Sequence, residues 1–188
     1  MRRESQRAIV QVSMAELSPL MIACLDEGKD VLLTVTGNSM GIFLRHQRDR
    51  VVLKKPTDPT VLQPGDVPLY RRDNGQLVLH RIVERDDGVK RRLYGEREPL
   101  STMHSSGSLT YTMLGDAQIQ REPNIRPDQI LAVATAFVRK GKRWECSSTA
   151  YRRRSLRWHK LMPLRAPIVR VWNLFHGAQN RLKKLLVK

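Results

Sequence analysis

The chain has 188 residues, of which 40 % are hydrophobic, so it is long enough for one packed domain plus an appendage and too apolar to be disordered. Its two cysteines, Cys24 and Cys146, lie far apart, which argues against a disulfide framework and favours a reducing compartment. The net charge of +16 is uneven: residues 138–188 hold 15 Lys or Arg against one Glu, whereas residues 1–137 hold 19 against 17 Asp or Glu. The basic segment predicts an anionic partner, either a membrane surface or nucleic acid.

The N-terminal segment and the apolar runs predict where the protein works. The first 13 residues, MRRESQRAIVQVS, are charged and lack the apolar core of a signal peptide. The longest uncharged run, ILAVATAFV, has nine residues, about half of what a spanning helix needs. We therefore expect a cytoplasmic protein without a transmembrane helix, whose membrane contact, if any, is peripheral at the inner face.

The first predicted element is a helix over residues 13–28. Ser13 and Glu16 have the spacing of a capping box, and Gly28 is suited to end the helix. Apolar residues recur at helical spacing, and Pro19 is the one helix-breaking residue among them. We expect this helix to pack on the domain that follows it.

From residue 31 onward the pattern is typical of strands. Residues 31–37 and 49–56 are short, β-branched runs, and residues 65–88 read as a hairpin with its turn at 73–75. Residues 89–95 and 110–116 predict a further pair of strands around a surface loop at 95–110, and residues 129–141 would close the sheet. The fold class is therefore mainly β, a small antiparallel sheet or barrel with an N-terminal helix.

Past Gly141 the pattern becomes helical and strongly basic. Residues 166–188 have their Arg and Lys mostly on one helical face. The opposite face is apolar and comprises Ile168, Val171, Trp172, Phe175, Leu182, Leu185 and Leu186. A basic amphipathic helix of this kind is typical of a protein that lies on an anionic membrane surface. We divide the chain into a helical lead (1–30), a β-domain (31–145) and a basic helical tail (146–188).

Three polar residues at apparent strand ends suggest a catalytic site. Ser39 follows the run VLLTVTGN, His80 lies within LVLHRIV, and Asp116 follows YTML. A serine needs an adjacent base to become a nucleophile, histidine is the usual base, and a carboxylate can orient the imidazole. Ser39, His80 and Asp116 are therefore the candidate catalytic residues.

The sequence around these residues resembles that of a known family. The order GNSM, then PGDVPLYRRDNGQLVLHRIV, then LGDAQ, then DQILAVATAF is similar to that of the S24/S26 serine peptidases, the superfamily of type I signal peptidases and self-cleaving repressors. His80 stands where most bacterial signal peptidases have a lysine, so the chain resembles the Ser-His-Asp branch found in endoplasmic-reticulum and archaeal signal peptidases. The resemblance covers residues 31–140 and implies a LexA/signal-peptidase-like β-domain.

The resemblance implies a serine endopeptidase that cleaves a precursor or leader peptide without a cofactor. Ser39 would be the nucleophile, His80 the general base and Asp116 the residue that orients it, with Glu96 and Glu98 as alternatives to Asp116. Asn38 and Met40 would line the oxyanion and substrate site. Gly37 stands where many signal peptidases have an oxyanion-donating serine, and losing one such donor costs about 10²-fold in rate, so a slow enzyme is expected.

Other interpretations of the same residues stay open. Ser39 and Asp116 also fit ordinary turn chemistry, and the chain could be an inactive descendant that holds a peptide in its groove. Lys54 and Lys55 are poor candidates for the base because they follow Ser39 closely, before Pro56. The histidines show no metal-ligand spacing, and no metal is expected. Nucleic acid is the alternative partner of the basic tail, although no known reading motif supports it.

Overall fold

The computed structural model describes residues 14–41, 43–87, 108–161 and 167. Two α-helices lie within these ranges, α1 (Met14–Asp26) and α2 (Thr149–Lys160), together with short 3-10 helices at Pro59–Val61 and Pro127–Gln129. The strands are β1 (Val31–Thr34), β2 (Arg50–Lys54), β3 (Pro68–Arg71), β4 (Leu77–Leu79), β5 (Arg81–Asp86), β6 (Thr110–Leu114), β7 (Glu122–Ile125), β8 (Ile130–Arg139) and β9 (Lys142–Glu145). The described part of the chain is mainly β with an N-terminal helix, as the sequence predicts.

The strands form two antiparallel sheets. The larger one has the order β1-β2-β8-β3-β4, with β9 also paired to β8, and it curls strongly into a half-barrel. The smaller one has the order β5-β6-β7. Register shifts between Val52 and Leu53 and between Leu69 and Tyr70 interrupt the pairing of β8 with β2 and β3. Such irregularities bend strands and increase their twist, which suits the observed curl.

The predicted N-terminal helix is confirmed over Met14–Asp26, and Gly28 follows it with φ +76°, a left-handed conformation that favours glycine. Met21 and Leu25 are buried in the main core, which also contains Leu53, on β2, and Ala132, on β8. The helix therefore packs on the larger sheet through its apolar face. Ser13, the predicted cap, lies outside the described residues.

The predicted hairpin at 65–88 is present, but its second strand is divided. β3 pairs with β4, and the turn between them is closed by the bond from the Gly75 amide to the Arg72 carbonyl. His80 then separates β4 from β5, which leaves the larger sheet and pairs with β6 in the smaller one. His80 thus stands where the chain passes from one sheet to the other.

The end of the domain differs from two expectations. The strand predicted at 129–141 is present as β8, but it does not close the sheet, since it lies between β2 and β3. The helical character predicted past Gly141 begins only at Thr149, because Lys140 and Gly141, both with positive φ, form a tight turn that leads into β9. β7 was not predicted. The predicted strand at 89–95, most of the predicted loop at 95–110 and the predicted helix at the C-terminal end lie outside the described residues.

Helix α2 packs on the β-domain. Tyr151 is buried in the main core, with its ring 5.5 Å from that of Phe137, and Ser155 is buried one turn later. The arginines of the helix, Arg152, Arg153, Arg154 and Arg157, are exposed. In the described ranges, neither helix is long and apolar enough to cross a membrane.

Candidate active site

Ser39 lies in a tight turn just beyond β1. Gly37 enters this turn with φ +94°, a value that L side chains rarely adopt, and its amide donates to Nδ1 of His46 at 2.9 Å. The Gly41 amide donates to the Asn38 carbonyl at 2.9 Å and closes the turn around Ser39, whose side chain is half-buried. Residues 37–41, here called the serine turn, thus hold Ser39 in a defined position.

A second turn, residues 115–118, packs directly against the serine turn. The Ala117 amide donates to the Ser39 carbonyl at 2.7 Å, and the Asp116 amide lies 3.4 Å from Sδ of Met40. A Cβ on Gly115 would come within 2.7 Å of the Ser39 carbonyl oxygen, so a glycine is needed for this close approach. The Gly-Asp pair that the sequence singles out therefore supports the backbone of Ser39.

The side chain of Asp116 belongs to a buried ion pair with Arg81. Nε and Nη2 of Arg81 donate to its two carboxylate oxygens at 2.9 and 2.7 Å, and Nη1 donates to the Gly65 carbonyl, the Tyr151 hydroxyl and Ser155 Oγ. Burial alone would lower the pKa of Arg81, but the charge and hydrogen bonds of Asp116 raise it above its ordinary value. This cluster joins the 115–118 turn to β5 and α2.

The polar contacts of His80 are with other residues, although the negative charge of Asp116 also acts to raise the pKa of the imidazole. It is 4 % exposed, and its Nδ1 lies 3.3 Å from the Tyr70 hydroxyl and 3.8 Å from Oε2 of Glu122. Because the Tyr70 hydroxyl donates its proton to Glu122 at 2.7 Å, its oxygen is left to accept from His80. This network assigns the imidazole proton to Nδ1 and leaves Nε2 as an acceptor.

Arg72 holds Glu122 in place. Its Nε and Nη2 donate to the two Glu122 oxygens at 2.6 Å each, and its Nη1 donates to Gln76 at 2.6 Å. Burial would raise the pKa of Glu122, but the hydrogen bonds from Arg72 and Tyr70 lower it below the ordinary value. Glu122 is therefore ionised at neutral pH, next to the ring of His80.

Burial determines the charge of His80. It lowers the pKa of the imidazole to about 4, although the negative charge of Glu122 acts in the opposite direction. His80 is consequently neutral at pH 7, and its contact with Glu122 is not an ion pair in the resting protein. A neutral imidazole is the form that can accept a proton from a nucleophile.

Ser39 and His80 line the same cavity, which has a volume of about 490 Å³. Two of its walls come from β1 and β4, which are edge strands of the curled sheet. Leu33 and Thr34 line the cavity on the β1 side, and Leu77 and Leu79 line it on the β4 side. Apolar side chains from the strands between them also contribute to the lining. The curl of the sheet thus brings both of its edges around one opening.

The structure brings four of the five predicted site residues to this cavity. Ser39, His80, Asn38 and Met40 all line this cavity, although Met40 is itself buried, whereas both oxygens of Asp116 accept from Arg81. The alternative base Lys55 pairs with Asp26 at 2.6 Å. Glu96 and Glu98 lie outside the described residues.

The sequence did not predict that Tyr70, Arg72 and Glu122 belong to the site. Tyr70 and Arg72 lie in and just after β3, and Glu122 opens β7, whose pairing with β6 aligns Glu122 with Met113. In the sequence, Glu122 is recognisable only as an acidic residue six positions after Asp116. Its proximity to His80 depends on the pairing of β6 with β7, which the sequence did not predict. Within the described ranges, no three His, Cys, Asp or Glu side chains are grouped as metal ligands.

Comparisons of this chain with protein-family models, with curated proteins and with solved structures find no match.

Proposed function

We propose that the chain is a serine endopeptidase of the signal-peptidase-like S24/S26 type, with a LexA-like β-domain, that cleaves a precursor or leader peptide. Ser39 is the nucleophile and His80 the general base. Glu122, acting through Tyr70, orients the imidazole, while Asp116 fixes the position of the serine turn. The two cysteines are unpaired, which suits a reducing compartment such as the cytoplasm.

One observation carries this proposal: Ser39 and a neutral, oriented His80 line a single cavity. The hydrogen-bond network holds the imidazole proton on Nδ1, so Nε2 is the nitrogen that can take the proton of Ser39. A serine that only shaped a turn would not require a buried histidine with this tautomer on the wall of the same cavity. The arrangement matches the roles of nucleophile, base and orienting acid in acyl transfer.

The reaction follows from these positions. Ser39 Oγ attacks the peptide carbonyl carbon while its proton passes to Nε2 of His80. The resulting imidazolium lies 3.8 Å from the ionised Glu122, whose charge stabilises it. His80 then returns the proton to the departing amine, and a water molecule, activated by the same imidazole, hydrolyses the acyl-enzyme.

The negative charge on the substrate carbonyl oxygen needs donors of its own. The serine turn can offer the backbone N–H of Ser39 and the exposed amide side chain of Asn38 as such donors. The Gly37 amide already donates to His46, and Gly37 has no hydroxyl to contribute. A site with few oxyanion donors supports a slow, specific maturation enzyme rather than a digestive one.

The cavity suits an extended peptide. β1 and β4 are both edge strands, so each presents unpaired backbone groups to which a substrate strand can bond. Alternate side chains of that strand would then point into the apolar lining formed by Leu33, Leu69 and Leu79. We expect small or apolar substrate residues next to the cleaved bond.

The test is cleavage of a library of short fluorogenic peptides by the purified full chain. We expect turnover by the unaltered protein and a loss of at least about a thousandfold in Ser39→Ala and His80→Gln. Ser147→Ala, which removes an exposed serine outside the cavity, is the matched control and should retain full activity. Cleavage that survives Ser39→Ala would contradict the proposal.

The same library distinguishes the alternative of an inactive peptide-binding module. Such a module would cleave none of the peptides, and Ser39→Ala would leave its binding of labelled peptides, measured by fluorescence anisotropy, unchanged. The absence of a hydroxyl at Gly37 and of a proline shortly after Ser39, where the family usually has one, favours this alternative. Serine-dependent turnover of any one peptide rejects it.

A further inference from the structure

A strongly basic surface lies where α2 meets the β-domain, and it shares no lining residue with the cavity of Ser39. A hollow of about 230 Å³ there is lined by Phe43, Arg139, Arg154, Arg157, Trp158 and Leu161. We call these residues the arginine–tryptophan surface. Three of its six members are cations and the other three are apolar or aromatic, a combination that the proposed peptidase chemistry does not use.

The positive charge of this surface is largely uncompensated. Arg139 lies 3.5 Å from Asp49, but that carboxylate already accepts two hydrogen bonds from Arg48. No carboxylate of the described residues pairs with Arg154 or Arg157. Burial lowers the pKa of Arg139, and the nearby charges of Arg48 and Arg154 add to this effect against the attraction of Asp49. Like charges held this close favour an external anion.

More basic groups surround the hollow. Lys140, Lys142 and Arg143 are exposed on the β8–β9 hairpin, and Arg152 and Arg153 are exposed on α2. The acidic side chain among them, Glu145, pairs with Arg143. The electrostatic attraction thus extends across the hairpin and the helix.

Apolar side chains reach solvent among these charges. Leu161 and Trp144 are each 38 % exposed, and the ring of Trp158 packs edge-on against Phe43 with centroids 6.2 Å apart. Tryptophan beside arginine is typical of residues at the boundary between lipid and water. Nucleic acid would also satisfy the arginines, but it gives no role to an exposed leucine. The mixture therefore favours lipid.

The sequence that follows continues the same pattern. Residues 162–188 hold six Lys or Arg and no Asp or Glu, with apolar residues at helical spacing between them. We infer that the arginine–tryptophan surface docks the protein on a membrane rich in anionic phospholipid, with the arginines on headgroup phosphates and the apolar side chains in the interface. This inference does not depend on the chemistry proposed for Ser39.

The hollow is connected to the serine turn. Phe43 forms part of the hollow and follows Ser39 by four residues, and the Phe43 amide donates to the carbonyl of Met40 in the serine turn. The hollow and the serine turn are thus joined by a short stretch of chain and by one backbone hydrogen bond.

The test is sedimentation of the purified full chain with vesicles of phosphatidylcholine alone or with about 30 % phosphatidylserine. We expect binding to the anionic vesicles only, weakened by raising the salt concentration from about 0.1 M to about 0.5 M. Arg154→Gln/Arg157→Gln should bind about tenfold to thirtyfold more weakly. Leu161→Gln should also weaken binding, including at the higher salt concentration.

The matched control is Arg71→Gln/Arg121→Gln, which removes the same charge from exposed positions outside this surface. It should reduce vesicle binding by less than about threefold. Equal weakening by both double variants would overturn the inference, because attraction would then follow net charge alone. Binding to single- or double-stranded nucleic acid that depends on Arg154 and Arg157, without vesicle binding, would overturn it as well.

Discussion

His80 and Arg81 are consecutive buried residues at the junction of β4 and β5, and their surroundings differ in kind. Arg81 makes five hydrogen bonds to protein groups, two of them to Asp116, so its side chain is fixed. His80 is held through Nδ1 by Tyr70 and Glu122, and its ring also faces the cavity that contains Ser39. Arg81 therefore has a structural role, whereas His80, buried at the wall of the cavity, is in a position suited to chemistry.

The largest expected effect is a loss of folding stability when Arg81 is replaced. Arg81→Met would leave Asp116 charged and buried without its partner, which typically costs about 3–5 kcal/mol. Urea unfolding of the purified variant measures this loss. A loss below about 1 kcal/mol would show that the ion pair does not fix the two turns.

The double variant Arg81→Met/Asp116→Leu serves as the control. Because it removes both charges, it should recover most of the stability lost by the single variant. If the double variant were as unstable as Arg81→Met, lost packing rather than the uncompensated charge would explain the result.

The next largest effect is the contribution of His80 to the pH dependence of the free energy of unfolding. Its pKa is about 4 in the folded chain against 6.5 for an ordinary histidine, so the unfolded chain binds the proton first as the pH falls. The stability that neutral His80 contributes above pH 6.5 is therefore lost between pH 6.5 and about 4, by up to about 3 kcal/mol. Urea unfolding across this range, compared with His80→Gln, isolates the contribution. Parallel curves would contradict the burial argument.

A smaller effect is expected where the two turns meet. Gly115→Ala would place a Cβ 2.7 Å from the Ser39 carbonyl oxygen, so the backbone must shift, at a cost of about 1–3 kcal/mol. A displaced nucleophile should also slow peptide cleavage by about tenfold or more. Gly141→Ala, strained by its φ of +76° but with open space around it, should lose about 1 kcal/mol without slowing cleavage. Equal activity losses in both would contradict a specific role for Gly115.

The smallest effect is expected at Tyr70. Tyr70→Phe removes the hydroxyl between His80 and Glu122 but leaves their 3.8 Å contact, so kcat should fall only about tenfold, with KM nearly unchanged. Stability should fall by about 1 kcal/mol. Steady-state kinetics and urea unfolding measure the two quantities. An unchanged kcat would exclude Tyr70 from the orientation of the imidazole.

Local signals predicted much of the fold. Helix α1, the β3–β4 turn and the strands found in the described parts of residues 31–139 follow from helical spacing, turn residues and β-branched runs. The division of the hairpin at His80 could not be predicted, because β4 and β5 separate only through pairing with β3 and β6, which are distant in sequence. The central position of β8 is likewise a matter of long-range pairing.

The same limit applies to the site. Ser39 and His80 could be identified from the residues around them, and both line one cavity. Glu122 could not, because it contacts Tyr70 and Arg72 across about fifty positions of sequence that the fold brings together. Asp116 was predicted from its place after a strand and from the Gly-Asp pair of the family resemblance, but the glycine of that pair is explained by the close approach of the Ser39 carbonyl.

The most direct test compares peptide cleavage by Glu122→Gln and Asp116→Asn, each assayed well below its own melting temperature. If Glu122 orients His80, Glu122→Gln should lose about 10²-fold or more in kcat with a similar KM. Asp116→Asn should be less stable yet retain most of its rate per folded molecule. Full activity in folded Glu122→Gln, together with an inactive but folded Asp116→Asn, would contradict this account.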